Sequence, residues 1–527
     1  MFNLKANSMN TKSIDIDQLI FNLMKIREAI LSCEEEYEPV IQSVHSNYRY
    51  SVRNFIRYLK LRTFELRKIQ EELSAMGLSS IGHSERYVLA NIENILYFLH
   101  LYQGKKFRGK YDLGEHPVNY FQSNTVLESN TTRLLGKSNQ SLNTRIMVTL
   151  PSESATDYKM VKSLIDQGIE VARINCSHDR PEDWRKMIGH VQQACREVGH
   201  ECKIFMDLPG PKMRTGEVKL KRKKKKKKPV DYISLHTGDH LHVYQKAIMG
   251  RDAQYSSEGE MIAPARVSIA SMIQFEDLNP GESIWFDDGK ICGKIRSITT
   301  EYLDVEIIRA TRNKGSKLRA EKGINLPDSR LNLPSLSPDD LNFLPVLIEL
   351  ADIIGYSFVR KASDVLALQR KLEEYGKSDI GLVLKIENRD AFENLPELLI
   401  TAMRNPNIGV MIARGDLAVE LGAERISEVQ EQILWLCEAA FIPNIWATQV
   451  LEKLSKEGVA TRAEITDASM AARAECVMLN KGENMLETVS ILSSILHRME
   501  AHQYKKKGTL RALRVAEGFL DKKNLLA

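Results

Sequence analysis

Residues 381–420, "GLVLKIENRDAFENLPELLITAMRNPNIGVMIARGDLAVE", decide the predicted fold of this chain of 527 residues. The apolar runs 381–387 and 408–415 have the length of buried strands, and the segment between them has the length of a helix. A strand, a helix and a second strand in succession indicate parallel pairing through a crossover. The stretch therefore predicts one repeat of an α/β fold.

The same alternation continues on both sides of this stretch. The eight candidate strands are 145–150, 170–175, 203–208, 352–359, 381–387, 408–415, 444–449 and 476–480. Eight such repeats predict a closed TIM (β/α)8 barrel. The gap after the third strand is too long for one crossover. Residues 217–325 carry short strands around glycine turns, which predicts a small β-rich lid domain inserted there.

Helix-period apolar patterns occupy residues 15–103 and predict an N-terminal α-helical domain. The polar, turn-rich segment from about 104 to 142 is typical of a linker. The expected organisation is a helical region with its linker (1–142), the first part of the barrel (143–216), the inserted lid (217–325), the second part of the barrel (326–500) and a C-terminal tail (501–527).

Charge and cysteine content exclude several classes of function. The net charge of +5 depends on the run Lys221–Lys228, because the remaining chain has 66 basic and 69 acidic residues. Nucleic acid is therefore not an expected partner. Seven scattered cysteines without a CxxC pair disfavour a zinc site and a disulfide framework, and fit a reducing compartment. No segment has the apolar length of a signal peptide or a membrane span, so a cytoplasmic protein is expected.

Polar side chains follow the carboxyl ends of nearly all the predicted strands, where barrels of this type carry their active sites. Each one alone is typical of a helix N-cap or a solvated loop, but the complete ring indicates a functional site. The ring consists of Pro151, Asn175, Ser177, Asp207, Arg360, Lys385, Glu387, Asp416, Thr448 and Asn480.

Glu387 and Asp416 end consecutive strands, so their carboxylates should be neighbours at the barrel mouth. Two carboxylates without a nearby histidine or cysteine suit Mg²⁺. Lys385 should point into the barrel, and Arg173 adds a second cation, which together favour phosphoryl transfer. Gly415 lies at a strand-to-helix turn whose N–H groups could hold a carboxylate or a phosphate.

Nine stretches resemble the pyruvate kinase family and occur in the family's order between about 144 and 495. They are "VARINCSHD", "MDLPGPKMRTG", "WFDDGKICGKI", "KGINLPDSRLNLPSLSPDDL", "FVRKASDV", "LKIEN", "VMIARGDLAVE", "WATQVLE" and "TRAEITD". The resemblance implies a barrel with a mobile lid that transfers the phosphoryl group of phosphoenolpyruvate to ADP, giving pyruvate and ATP.

The resemblance also assigns roles at the mouth of the barrel. Glu387 and Asp416 would bind Mg²⁺, or Mn²⁺ in its place, and Lys385 would stabilise the transferring phosphoryl group and the enolate. Arg173 would bind the phosphoryl oxygens. The substrate carboxylate would be held by the N–H groups of Gly415 and Asp416 and by the hydroxyl of Thr448. Whether a hydroxyl or a water protonates the enolate near Thr448 stays open.

Two further groups of residues follow from the same resemblance. The nucleotide side would be formed by Pro151, Asn175, His178 and Arg214. The monovalent-cation site would be formed by Asn175, Ser177, Asp207 and the backbone of Leu208.

The sequence departs from the family at three places. Lys212 stands where members that require K⁺ have a glutamate, which gives the hypothesis that a fixed ammonium beside Asp207 replaces K⁺; the alternative is a surface lysine. The eighth strand ends in Asn480, Lys481 and Gly482 in place of the family's serine-containing loop, with its acid lost or displaced to Glu483. Only 28 residues follow Met499, so the usual C-terminal domain, with its sugar-phosphate regulation and its subunit interface, is not expected.

Several alternatives stay open at this point. A non-catalytic or regulatory homologue would use the helical domain and the basic run to bind partners, and a third interpretation is a different Mg²⁺-dependent enolate enzyme. The N-terminal helices either cover the barrel or form a homo-oligomer. The run Lys221–Lys228 is a solvated loop, a polyanion contact or a source of long-range attraction for anionic substrates.

Overall fold

The structure is a computed structural model that describes residues 14–78, 81–109, 118–218, 231–270, 273–310, 315–331, 333–505 and 507–508. The run Lys221–Lys228 and most of the tail 501–527 lie outside these ranges. The chain divides into two compact units, one formed by Met1–Asn130 with Trp435–Ile442 and the other by Thr131–Leu434 with Pro443–Ala527. No helix in the described ranges is both long enough and apolar enough to span a bilayer.

The N-terminal region is helical, as predicted. Its helices are α1 (Ile16–Glu36), α2 (Glu38–Ser43), α3 (Arg49–Leu61), α4 (Arg67–Ala75), α5 (Val88–Tyr102) and α6 (Tyr120–Leu135). Asp15 caps α1 by accepting a hydrogen bond from the N–H of Gln18. Leu19, Leu23, Ile26 and Ile30 repeat at helical spacing and are buried, so they form the inner face of α1.

The presence of α6 corrects the prediction that residues 104–142 form a linker. Although the segment is polar in composition, α6 has buried apolar residues on one face, including Leu127 and Leu134. Asn130, a residue typical of turns, is also buried in α6, and its side-chain Nδ2 donates to the carbonyl of Phe441 at 2.8 Å. Polar residues with tertiary hydrogen bonds can lie inside a helix, which composition alone does not reveal.

The remaining elements belong to the second unit. In chain order they are β1 (Arg145–Thr149), α7 (Tyr158–Asp166), β2 (Val171–Asn175), α8 (Pro181–Val198), β3 (Lys203–Asp207), β4 (Tyr232–Leu235), β5 (His240–Tyr244), β6 (Gln254–Tyr255), β7 (Met261–Ala263), β8 (Ala265–Ser268), β9 (Ser283–Phe286), β10 (Ile291–Ile298), β11 (Tyr302–Ala310), β12 (Ser316–Arg319), β13 (Ile324–Asn325), α9 (Pro338–Leu350), β14 (Ile353–Tyr356), α10 (Ala362–Glu374), β15 (Gly381–Ile386), α11 (Arg389–Glu393), α12 (Leu395–Ala402), β16 (Ile408–Ala413), α13 (Arg414–Leu421), α14 (Ile426–Ala439), β17 (Asn444–Ala447), α15 (Glu452–Glu457), α16 (Arg462–Ala471), β18 (Cys476–Leu479), α17 (Met485–Glu500), β19 (Gln503–Tyr504) and β20 (Lys507–Gly508).

Eight parallel strands close into a barrel in the order β1-β18-β17-β16-β15-β14-β3-β2, which confirms the predicted TIM barrel. Nearly every strand residue is buried, because one side chain faces the barrel interior and the next faces the surrounding helices. Leu134 and Leu135, from the end of α6, join the interior cluster that includes Phe205, Val383 and Met411. The end of α6 therefore completes the barrel core.

The inserted β-rich domain is also present. It contains a six-stranded sheet in the order β13-β9-β10-β11-β5-β8, and β12 pairs separately with β4. Leu241, Val267, Ile295, Val305 and other buried apolar residues form its core. Two chain connections join this lid to the barrel, and the N–H of Ile324 on the return connection donates to the carbonyl of Met213 on the outward one at 2.9 Å.

Candidate active site at the mouth of the barrel

Lys385 lies near the carboxyl end of β15 and is buried, with 8% of its surface exposed. Its Nζ donates to the Ser357 hydroxyl at 2.8 Å and lies 3.1 Å from Glu387 Oε1 and 3.6 Å from Asp207 Oδ1. Burial by itself lowers the pKa of this ammonium, but the charges of Asp207 and Glu387 outweigh it, so the pKa is raised. The structure therefore holds a buried, charged lysine at the mouth of the barrel.

Arg173 is the second buried cation of the site. Its Nε donates to Asp207 Oδ2 at 2.6 Å, and its Nη1 donates to the hydroxyl of Thr149 at 2.9 Å. Thr149 ends β1, Asp207 ends β3, and Arg173 lies in the middle of β2, the strand between them. Asp207 thus pairs with Arg173 and Lys385 at once, which fixes both cations on the same side of the mouth.

Glu387 directly follows β15, and Asp416 lies in the first turn of α13. The negative charge of Asp416 acts on the carboxylate of Glu387. Glu387 is buried and accepts a hydrogen bond from the N–H of Phe358 at 2.7 Å. Burial raises the pKa of Glu387, and the charge of Asp416 raises it further, against the opposing effects of Lys385 and Lys212. A neighbouring cation would relieve this repulsion on the charged form of Glu387.

Lys212 binds Asp416, which differs from the expectation that it lies beside Asp207. Its Nζ is 3.0 Å and 2.9 Å from the two carboxylate oxygens of Asp416 and lies over the Phe358 ring at 5.5 Å. Gly323 makes this approach possible, because a Cβ there would lie 2.9 Å from Lys212 Cε. The ammonium is thus paired and only partly exposed, and its predicted place beside Asp207 is not observed.

Gly415 and Thr448 lie together, as expected for a carboxylate-binding turn. In this structure the Gly415 N–H donates to Thr448 Oγ1 at 2.9 Å. Arg414 supports the turn, since its Nε donates to the carbonyl of Ala447 at 3.0 Å and its guanidinium pairs with Asp467. The N–H and hydroxyl groups that the sequence assigns to a substrate carboxylate are thus adjacent.

The comparisons with known proteins agree with this geometry. Residues 141–486 match the family model described as pyruvate kinase, barrel domain. The chain belongs to the pyruvate kinase family.

Three relatives named pyruvate kinase illustrate the distance within the family. The protein of Bacillus licheniformis is 30% identical over 386 residues, which cover 72% of this chain and 61% of that protein. The protein of Dictyostelium discoideum is 32% identical over 364 residues, covering 68% and 66%. The protein of Thermococcus litoralis is 30% identical over 371 residues, covering 68% and 70%. The chain thus spans less than two thirds of the length of the first two relatives.

Some of the residues predicted to contact the nucleotide line a cavity of about 240 Å³. Its lining includes Asn175, His178 and Arg173. Burial lowers the pKa of His178, and the positive charges of Lys481 and Arg214 lower it further, which places both cations near the imidazole. Pro151 follows Leu150, which also lines the cavity, and begins a short 3₁₀ turn.

The altered eighth-strand loop contributes to the same cavity. Asn480 and Lys481 both line it, together with Lys456 and Glu452 of α15, which form an ion pair with each other. Gly482 packs so closely on Ser455 that a Cβ there would lie 2.0 Å from its hydroxyl. The departure from the family therefore adds positive charge to the expected nucleotide side, and the glycine allows the loop to pack in this way.

The expected monovalent-cation residues are only partly grouped. Asn175 and Asp207 lie opposite each other on β2 and β3, and Asn175 Oδ1 accepts from the N–H of Ser177 at 3.1 Å. The N–H of Leu208 donates to the carbonyl of Gly355. Arg173 and Lys385 already bind the Asp207 carboxylate. Arg360, another member of the predicted ring, donates to the carbonyl of Leu333 and supports a loop.

The carboxylates fit a hard divalent cation. Glu387 and Asp416 would provide oxygen ligands, and no cluster of three or more histidine, cysteine, aspartate or glutamate ligands occurs in the described part of the chain. Mg²⁺ commonly uses one or two carboxylates and completes its coordination with water and substrate oxygens. A two-carboxylate site is therefore compatible with Mg²⁺ and unlike a structural zinc centre.

Sequence reasoning missed three residues of the site. Ser357 accepts from Lys385, and Asn325 donates to both Asp416 and Glu420. Burial raises the pKa of Glu420 to about 7. The stretches "KGINLPDSR" and "ARGDLAVE" contain Asn325 and Glu420, but their meeting depends on lid and barrel contacts between residues far apart in the sequence.

Proposed function

We propose that the protein is an active pyruvate kinase that transfers the phosphoryl group of phosphoenolpyruvate to ADP, giving pyruvate and ATP. The observation that carries the proposal is the buried Lys385 ammonium, held by Asp207, Glu387 and Ser357 at the mouth of the barrel. Burying a charged lysine in this way is costly unless the charge has partners and a use. Phosphoryl transfer to and from an enolate needs such a fixed positive charge.

Arg173 and Lys385 supply the positive charge for the reacting groups in this proposal. Their shared partner Asp207 keeps both side chains fixed, so little reorganisation is needed when charge moves from the phosphoryl group to the enolate oxygen. The hydroxyl of Thr448 and the N–H groups of Gly415 and Asp416 would exchange their present contacts for the substrate carboxylate. These contacts would orient the substrate for in-line transfer.

Glu387 and Asp416 would hold Mg²⁺, or Mn²⁺ in its place. The bound cation would neutralise charge on the phosphoryl oxygens. Lys212 would have to share Asp416 with that ion. Because its ammonium is a permanent monocation at the mouth, the proposal includes activity without K⁺.

ADP would lie in the cavity next to Asn175 and His178, with Pro151 and Arg214 at its borders. Lys481 would attract its phosphates. A cytoplasmic location is part of the proposal and rests on the scattered cysteines, which suit a reducing compartment.

A lactate-dehydrogenase-coupled assay with phosphoenolpyruvate, ADP and Mg²⁺ tests the proposal, with Lys385→Met as the control. We expect turnover by the parent protein and a loss of at least about 1,000-fold in kcat for the variant, since one transition-state donor contributes 10²–10³-fold or more. Running the assay in tetramethylammonium and in K⁺ buffer should give rates within about twofold. A many-fold activation by K⁺ would refute the proposal that Lys212 makes K⁺ unnecessary. Equal rates for the parent and Lys385→Met would refute the proposed pyruvate kinase activity.

A second candidate is a non-catalytic homologue that acts by binding partners. The altered loop at Asn480, Lys481 and Gly482 favours it, because the family's serine is absent there. The preserved contacts of Arg173, Lys385 and Thr448 favour the enzyme. The same assay distinguishes the two, since a binding protein would show no turnover above that of Lys385→Met.

A further inference from the structure

Asn325 connects the lid to the candidate metal site. It lies in β13, the edge strand of the six-stranded lid sheet, where it pairs with Trp285 of β9. Its side chain is 4% exposed, and its Nδ2 donates to Glu420 Oε1 at 3.0 Å and approaches Asp416 Oδ1 at 3.4 Å. One amide group thus bridges two carboxylates of the barrel.

The two carboxylates determine how this amide is oriented. Asn325 Oδ1 is buried and has no hydrogen-bond partner among the residues that the structure describes. A rotated amide would place this oxygen against Asp416 and Glu420 and would lose both donated bonds, so the orientation with the nitrogen towards the carboxylates is favoured. The cost of leaving Asn325 Oδ1 without a donor is offset by the two contacts that Nδ2 makes with the carboxylates.

Both lid connections converge on Asp416. Lys212, on the outward connection, binds both carboxylate oxygens, and Asn325, in the last lid strand before the chain returns to the barrel, approaches one of them. The connections are joined to each other by the hydrogen bond from Ile324 to Met213. A shift of the lid would therefore change the surroundings of this carboxylate.

We propose that Asn325 is a positioning residue that ties the lid sheet to Asp416 and orients this carboxylate for the divalent cation. The inference rests on the proposed role of Asp416 as a metal ligand. Hydrogen-bond partners of metal-binding carboxylates fix the direction of the oxygen ligands, and removing one commonly weakens metal binding by about 10–100-fold. Glu420 holds the other amide hydrogen and so fixes Asn325 in turn.

Direct measurement of Mn²⁺ binding without substrates tests the proposal. Free Mn²⁺ is followed by electron paramagnetic resonance in titrations of the parent protein and of Asn325→Leu, which keeps the side-chain shape and removes the amide. We expect the Kd for Mn²⁺ to rise about tenfold in the variant. In the coupled assay, the concentration of Mg²⁺ needed for half-maximal rate should rise by a similar factor.

Asn405→Leu is the matched control. Asn405 is also 4% exposed, and its Nδ2 also donates two hydrogen bonds, to the carbonyls of Ser378 and Ile380. It precedes β16, at the opposite end of the barrel strands from Asp416. An equal rise of Kd in both variants would mean that general loss of stability is the cause, and a Kd within twofold of the parent for Asn325→Leu would overturn the proposal.

Two further variants keep the test decisive if Asn325→Leu folds poorly. Glu420→Leu removes the second partner of the amide, so it should also weaken Mn²⁺ binding. Asp416→Asn tests the underlying assumption separately. If Asp416→Asn leaves Mn²⁺ binding unchanged, the proposed metal ligand is wrong; if it weakens binding while both other variants do not, only the role of Asn325 is wrong.

Discussion

Thr448 adopts a backbone conformation that a β-branched residue rarely occupies. Its φ is +65°, and the next residue, Gln449, has a φ of +59°. Such conformations cost free energy and persist only where surrounding contacts impose them. Here the Gly415 N–H binds the Thr448 hydroxyl and Arg414 binds its carbonyl, so the turn keeps the hydroxyl at the barrel mouth.

Glu420 gives the site a stability that depends on pH. Burial raises its pKa to about 7, the charge of Asp416 acts in the same direction, and the hydrogen bond from Asn325 opposes the shift. Between pH 4.5, the usual pKa of a glutamate side chain, and about pH 7, the unfolded chain loses this proton while the folded protein keeps it. The contribution of Glu420 to the free energy of unfolding therefore falls as pH rises through this range, by roughly 3 kcal/mol in total.

Glu420→Gln tests this dependence, because glutamine cannot ionise. We expect the melting temperature of the variant, relative to the parent, to increase between pH 5.5 and pH 8. Calorimetry at several pH values measures the difference, and the exposed Glu424→Gln serves as control. A parent-minus-variant difference that is constant over this range would contradict the raised pKa.

At the scale of elements, the end of α6 serves as part of the barrel core. Leu134 is 2% exposed and belongs to the interior cluster. Its methyl groups lie where a Cβ on Gly381 or Gly409 would contact them at 2.9 Å and 2.5 Å. Because these glycines lie at the beginning of β15 and β16, Leu134 fills the end of the barrel opposite the active site.

Leu134→Ala should therefore destabilise the barrel and leave substrate binding unchanged. Removing a buried leucine typically costs about 2–5 kcal/mol through lost burial and a residual cavity. Thermal unfolding should show a clear fall in melting temperature, with unchanged KM for phosphoenolpyruvate at 25 °C. Leu341→Ala, at a 44% exposed position of α9, is the control and should have little effect. Equal effects of the two substitutions would contradict the role of Leu134.

The elements differ in how well the sequence predicts them. The barrel strands were predicted within about three residues at each end, because buried parallel strands form continuous apolar runs. Helix α6 was missed, since its buried asparagine and serine residues are typical of turns. The sequence predicts that the Lys212 ammonium lies beside Asp207, yet its partner is Asp416, 204 positions away. No periodic pattern encodes such a contact, and the bridge formed by Asn325 was missed for the same reason.

At the scale of the whole molecule, positive charge is unevenly distributed along the chain. The net charge of +5 comes from the run Lys221–Lys228, while the rest of the chain is slightly acidic. This run follows Val218, whose neighbouring residues form the outward connection from barrel to lid. Two roles are open for this run. It attracts anionic substrates towards the mouth of the barrel, or it is a solvated loop without effect on catalysis.

Replacing Lys223–Lys228 with alternating glycine and serine distinguishes these alternatives. We expect kcat/KM for phosphoenolpyruvate and ADP to stay within about twofold of the parent, because a run of like charges is typical of a solvated loop. The fixed cations Arg173, Lys385 and Lys212 already provide the local positive charge at the mouth. The coupled assay should be run at about 20 mM and 150 mM salt. A fall in kcat/KM that occurs at low salt and disappears at high salt would instead show that the run steers substrates over long range, and loss of salt-sensitive binding to heparin with unchanged kinetics would assign the run to polyanion contact.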